Sequence, residues 1–176
     1  GSISFGDENL QLDLNGYASL SKQMYDIQAK FQHVRPCVIG FQPERDRIYS
    51  GEIDASLQGN DINNRLGSID INNFGIQDST STYHMGQLKL RAVNESGQRR
   101  VSLYSDFMTA DVRGEYTYTT LPQSFVHVLE RYIPALIGYQ NQNTDHQNHF
   151  TFNLKLTDAT PFQQVLALPL ELHEPI

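Results

Sequence analysis

Cysteine is nearly missing. Cys37 is the single thiol, so no internal disulfide can staple the fold, and cysteine usage leaves the compartment open. Tryptophan is absent, and nine Tyr and nine Phe carry the aromatic content, which suits a β-rich protein. Positive charge is short: 13 Lys and Arg face 20 Asp and Glu, for a net charge of -7. That balance argues against nucleic acid, which is recognised through a basic patch. No apolar run approaches the roughly 20 residues of a membrane-spanning helix, and no signal peptide opens the chain. A glycine-rich phosphate loop, a serine nucleophile elbow and a CxxC pair are also missing. The expectation is a non-enzymatic protein that uses no cofactor.

What the chain does have is alternation. Its 176 residues suit one domain or one piece of a longer protein, and 39% hydrophobic residues against 19% charged describe a globular chain with a real core. Tyr49, Gly51, Ile53, Ala55 and Leu57 fall on one side of a run whose other side is Ser50, Glu52, Asp54, Ser56 and Gln58. Period two predicts a strand with one buried and one wet face. Gly59-Asn60-Asp61 breaks the run with turn residues. Ile69 and Ile71 then alternate with Ser68, Asp70 and Asn72, so a hairpin is expected. The pattern recurs over residues 10–15, 25–32, 87–92, 101–103, 110–118 and, most regularly, 150–157. LDLNG at 12–16 matches ASLQG at 55–59, an offset of 59 − 16 = 43, and YDIQAKF at 25–31 answers GSIDINNF at 67–74. Two related strand-pair units are therefore expected, near 9–34 and 48–78.

The period changes once. Phe125, Val128, Leu129, Tyr132, Ile133 and Leu136 form the stripe of an amphipathic helix. Thr120 and Gln123 make a capping box, and Pro134 ends or kinks the helix. A main helix is expected near 121–135 and a short one near 160–167. The predicted fold class is mainly β with some α. It is a strongly curved antiparallel sheet of about seven to nine strands, a taco or half-barrel-like groove, with both helices on its apolar face.

Candidate chemistry is thin. Asp145, His146 and His149 have metal-ligand residue types at short spacing, but in a loop and without a further ligand, so no metal is expected. Arg35 beside Cys37 could activate a thiol, yet an inert cysteine in an apolar run is the simpler outcome. Asp54 and Asp70 could face each other as a carboxylate pair, although both lie on wet faces where solvated charge is ordinary. The pair Arg99-Arg100 opens a strand, where two charges near acidic neighbours are usually just solvated.

The hairpin GEIDASLQGNDINNRLGSIDINNFGI resembles the signature of the AsmA/TamB superfamily, with Leu66-Gly67 and Asn73-Phe74 at the signature positions. The flanks are similar to TamB-like translocation and assembly proteins of Bacteroides-type bacteria: FQHVRPCVIGF at 31–41, the stretch at 103–136 with its Leu-Pro-Gln-Ser-Phe helix start, and LPLELHEPI at 168–176. The resemblance implies one β-groove segment, residues 1–176, of a long periplasmic protein anchored in the inner membrane. The segment opens on Gly1-Ser2 and stops at Ile176 still alternating, which fits a piece excised from that longer chain. Implied partners are phospholipid acyl chains, neighbouring segments of the same chain and, through parts absent here, an Omp85-type outer-membrane barrel. The lipid-groove candidates are Tyr49, Ile53, Ala55, Leu57, Ile69, Ile71, Phe150, Phe152 and Leu154. Phe125, Val128, Leu129, Tyr132 and Ile133 would pack a helix onto that groove. The alternative is a scaffold module that binds partners by strand addition, with its helices filling the groove.

Overall fold

In the computed structural model the described residues are 1–38, 46–121, 124 and 148–158. They form nine strands: β1 (Ser2–Gly6), β2 (Gln11–Ser19), β3 (Met24–Val34), β4 (Ile48–Gln58), β5 (Leu66–Gln77), β6 (Thr82–Glu95), β7 (Gln98–Ser105), β8 (Met108–Glu115) and β9 (His149–Leu156). All nine lie in one sheet in chain order, and every neighbouring pair is antiparallel. The sheet is an open meander. Among the described residues no strand pairs with the outer side of β1 or β9.

The connections follow from turn chemistry. At β4–β5 Gly59 takes φ +124, and Asp61 caps a single 3-10 turn (Ile62–Asn64) by accepting from the Asn63 amide at 2.8 Å. At β6–β7 Ser96 and Gly97 both sit at positive φ, the backbone a two-residue hairpin demands. At β5–β6 the Asp78 carboxylate accepts from the Thr80 and Ser81 amides, each at 2.9 Å. Those amides hold its pKa down at about 2.

Strand β4 is regular, and both neighbours bulge against it. Between Phe31 and Val34, β3 takes three steps while β4 takes two, from Gly51 to Tyr49. Between Asn72 and Gly75, β5 takes three steps against two from Glu52 to Ser50. Each bulge holds a non-glycine residue at φ +52, His33 and Asn73, separated by 73 − 33 = 40 residues. Bulges bend a strand and increase its twist. Gly51 lies between them with the Phe31 ring laid across it; a Cβ there would meet that ring at 2.9 Å. The aromatic thus covers a backbone that has no side chain of its own.

Three findings differ from the sequence expectations. Strand β1 was not anticipated, because Ile3 and Phe5 alone are too short a pattern to separate from noise. The alternation through Tyr118 does not all become strand. β8 ends at Glu115. The Leu121 amide then donates to the Thr117 carbonyl at 2.9 Å, and the Thr117 and Thr120 hydroxyls meet at 2.6 Å. A helical turn thus opens three residues before the expected cap. Only Leu121 and Ser124 of the expected main helix are described, both helical. The rest of it, with Phe125, Val128, Leu129, Tyr132 and Ile133, lies outside the described residues, as does the short helix near 160–167.

Candidate functional site: the apolar face of the sheet

Directly paired residues of antiparallel strands point to the same face. Following the register across the sheet therefore sorts side chains without further assumption. One lateral row reads Gly16, Ile27, Ala55, Ile69, Leu90, Leu103, Ala110, Leu154. The next reads Ala18, Tyr25, Leu57, Gly67, Ala92, Val101, Val112, Phe152. On the other side of the first lie Ile3, Leu14, Ala29, Ile53, Ile71, Leu88 and Ser105. The intervening rows are polar: Tyr17, Asp26, Ser56, Ser68, Arg91, Ser102, Asp111, Asn153 is one of them.

The register thus brings Ile53, Ala55, Leu57, Ile69, Ile71, Phe152 and Leu154 onto one face of one sheet. Phe150 joins through its partner Gly114, which pairs with Arg99 in the row beyond Val101. Tyr49 is on the same side of β4, past the bulges, with its ring 6.3 Å from that of Phe74. Burial along the face is uneven. Ala55 is 6% exposed, whereas Phe152 and Leu154 near one edge are 37% and 39% exposed and Ile3 and Phe5 at the other edge are more exposed still. Among the described residues no large side chain is fully buried, and no second layer of structure packs on the sheet. Each large apolar side chain left in water forgoes roughly 1.5–3 kcal/mol.

The polar face is tied by short-range charge pairs. Arg100 Nε donates to Asp111 at 2.7 Å, Ser102 donates to the same oxygen at 2.9 Å, and Arg113 reaches Glu95 at 3.2 Å. Burial pushes the Asp111 carboxyl up, but the bonds from Arg100 and Ser102 outweigh it and hold the pKa low. Lys30 meets Glu52 at 3.0 Å. Asp54 and Asp70 are direct cross-strand partners, so the carboxylate pair considered from sequence exists as neighbours. Gln28 donates to Asp54 at 3.3 Å, and Lys89 Nζ stands 3.9 Å from Asp70.

Arg99 and Arg100 part ways. Arg100 points to the polar face, but Arg99 shares the parity of Val101 and lies on the apolar one. Its guanidinium carbon sits 5.3 Å from the centre of the Tyr118 ring. Tyr118 packs 6.1 Å from Tyr116, which meets Phe150 edge-on at 6.2 Å. Burial pushes the Tyr116 hydroxyl up to about 12. Arg65 repeats the device, 5.5 Å above the ring of Tyr25, another apolar-face residue. Sequence reasoning took Arg99 for a solvated charge and did not single out Arg65. Parity carried the signal for Arg99, two residues before Val101; Arg65 precedes its strand and had none.

Cys37 is half-buried rather than enclosed, and its Sγ donates to Asp46 at 3.6 Å, with Arg35 Nε 3.8 Å from the same carboxylate. Asp145 and His146 lie outside the described residues, and His149 pairs with Glu115 at the start of β9. Among the described residues no three His, Cys, Asp or Glu side chains group as metal ligands. No family model, curated protein or solved structure matches this chain.

Proposed function

We propose that this chain is a non-enzymatic segment of an AsmA/TamB-like protein of the periplasm, and that its apolar face carries phospholipid acyl chains toward the outer membrane or serves outer-membrane assembly. The observation that supports this is the register. Apolar residues of nine strands share one face, and several of the largest stay exposed. A face of that extent is a surface that soluble proteins avoid unless it is used. The bulges at His33 and Asn73 support this reading, because bulges bend strands and a groove would need a bent sheet. The hydrocarbon demand also fits: each buried acyl CH₂ contributes only about 0.8 kcal/mol, so a carrier needs a long apolar track. Neighbouring segments of the longer chain would extend the sheet at β1 and β9, and an Omp85-type barrel would receive the far end.

The test is Ile53→Asp, in the middle of the face between Ala29 and Ile71. An ion there must be desolvated before an acyl chain can pass. The variant should keep the wild-type circular dichroism spectrum, lose binding of a phospholipid with radiolabelled acyl chains, and fail to restore outer-membrane integrity when placed in the long protein. A folded variant that still binds lipid and restores integrity would remove the groove. The outer edge of β1, unpaired among the described residues, would then favour a scaffold that binds partners by strand addition.

A further inference from the structure

Arg65 and Arg99 occupy one end of the apolar face, on one lateral row. Asn94 pairs with Arg99, and continuing the β5–β6 register two residues past Gly67–Ala92 sets Arg65 level with Asn94. Two strand spacings separate them, about 10 Å. Each guanidinium is stacked on a tyrosine rather than paired with a carboxylate. Among the described residues the ion pairs engage Arg35, Arg47, Arg100 and Arg113, not these two. In a chain of net charge -7, two cations that no acid among the described residues pairs with, at one end of an apolar surface, are conspicuous.

The opposite end is different. There Arg35 meets Asp46, Arg47 meets Asp78, and the Asp106 carboxylate is occupied by the Gly86 amide at 2.7 Å and the Gln87 amide at 3.2 Å. The face therefore has an electrostatic direction across its length. A second observation sharpens this. Arg99 Nη1 and the Tyr118 hydroxyl are both shielded from solvent and have no hydrogen-bond partner. Buried donors without acceptors are costly, and an oxygen-rich anion removes the cost. Guanidinium groups also match the geometry of phosphate oxygens.

From this we infer that the Arg65–Arg99 end is a headgroup site, which seats the phosphate of an anionic phospholipid while its acyl chains lie along the rows of Leu57 and Ala55. The inference rests on the acyl-carrying role proposed above and adds direction and headgroup selectivity to it. Arg65 and Arg99 hold the phosphate oxygens, Tyr25 and Tyr118 hold the guanidinium planes, and Tyr116 and Phe150 form the apolar wall where the glycerol meets the chains.

The experiment uses the whole chain and two short-chain phospholipids below their micelle concentrations, dihexanoylphosphatidylglycerol and dihexanoylphosphatidylcholine, with glycerol 1-phosphate as the bare anion. Binding is read by titration calorimetry. The anionic lipid should bind about tenfold tighter than the zwitterionic one, the scale of one charge-assisted hydrogen bond. Arg65→Gln with Arg99→Gln should weaken both lipids, whose phosphates are alike, and the anionic one more, so that the preference disappears, and Arg65→Lys with Arg99→Lys should keep part of it. Should the glutamine variant lose its circular dichroism spectrum, rising salt on the wild type reads the same term, and the preference should collapse. Equal affinity for the two lipids, or a preference indifferent to both arginines and salt, overturns the headgroup site and leaves the acyl-carrying role standing. Glycerol 1-phosphate binding as tightly as the anionic lipid overturns it too, by showing an anion site that ignores the chains. Failure of both lipids to bind overturns the acyl-carrying role and the headgroup site together.

Discussion

Gly67 is the position where the hairpin signature is most exposed to test. It is the second residue of β5, at φ +136, a backbone that L side chains rarely adopt. It pairs with Leu57, and a Cβ built on it would collide with the Ser56 carbonyl oxygen and stand 3.0 Å from the Leu57 Cα. Gly67→Ala therefore adds two costs. Backbone strain in this region is about 1–3 kcal/mol. The collision is with main chain, so β5 must move away from β4, and the Leu57–Gly67–Ala92 row must open. A ladder hydrogen bond lost there adds about 1 kcal/mol more. The sum is roughly 2–4 kcal/mol, which for a chain of this size lowers Tm by roughly 4–16 °C. Gly97→Ala is the internal control: it also has positive φ, +82, but nothing lies within 4 Å of its Cβ. It should carry the strain alone and melt closer to wild type. Thermal melts of the three proteins by circular dichroism check this. If Gly67→Ala melts within a degree of wild type, or no lower than Gly97→Ala, the close approach of β4 and β5 is not what holds this corner.

Tyr116 predicts a pH dependence. Its pKa stands at about 12 in the folded chain against 10.0 when exposed, so between those values the folded tyrosine keeps a proton that the unfolded one has lost. Stability should be full below pH 10 and fall as pH rises to 12, by roughly 2–3 kcal/mol from this residue. Tyr116→Phe should flatten that decline while losing the hydroxyl bond to the Val112 carbonyl, and denaturant melts at pH 8 and pH 11 measure both effects. Asp54→Asn should stabilise the chain by about 0.2–1 kcal/mol, because it removes one of two like charges directly opposite each other, and the gain should vanish in high salt. A gain that salt leaves intact would mean that repulsion from Asp70 is not the cause.

Period two is a local property, and so it was legible in the sequence. Every strand but β1 announced itself, including Tyr49–Gln58 and Phe150–Leu156, and so did the side of each that would be apolar. The two bulges were not legible: the sequence repeat has an offset of 43, which sets His33 against Ile76, and only the pairing of the strands shows that His33 and Asn73 flank the same point of β4. Register was not legible. A slip of one residue moves a whole side-chain set to the other face, and choosing between registers needs the partner strand. Pairing of Ala55 with Ile69, and so on through Leu154, turned separate alternations into one face. Pairing also split Arg99 from Arg100. In sequence they are one basic dipeptide; in the sheet one joins Asp111 on the wet side and the other lies over Tyr118 on the apolar side. Composition and spacing determined the strands and their amphipathic character, because those depend on neighbours in the chain. The continuity of the apolar face and the charged end that gives it direction depend on neighbours across the sheet, and only the tertiary structure decides those.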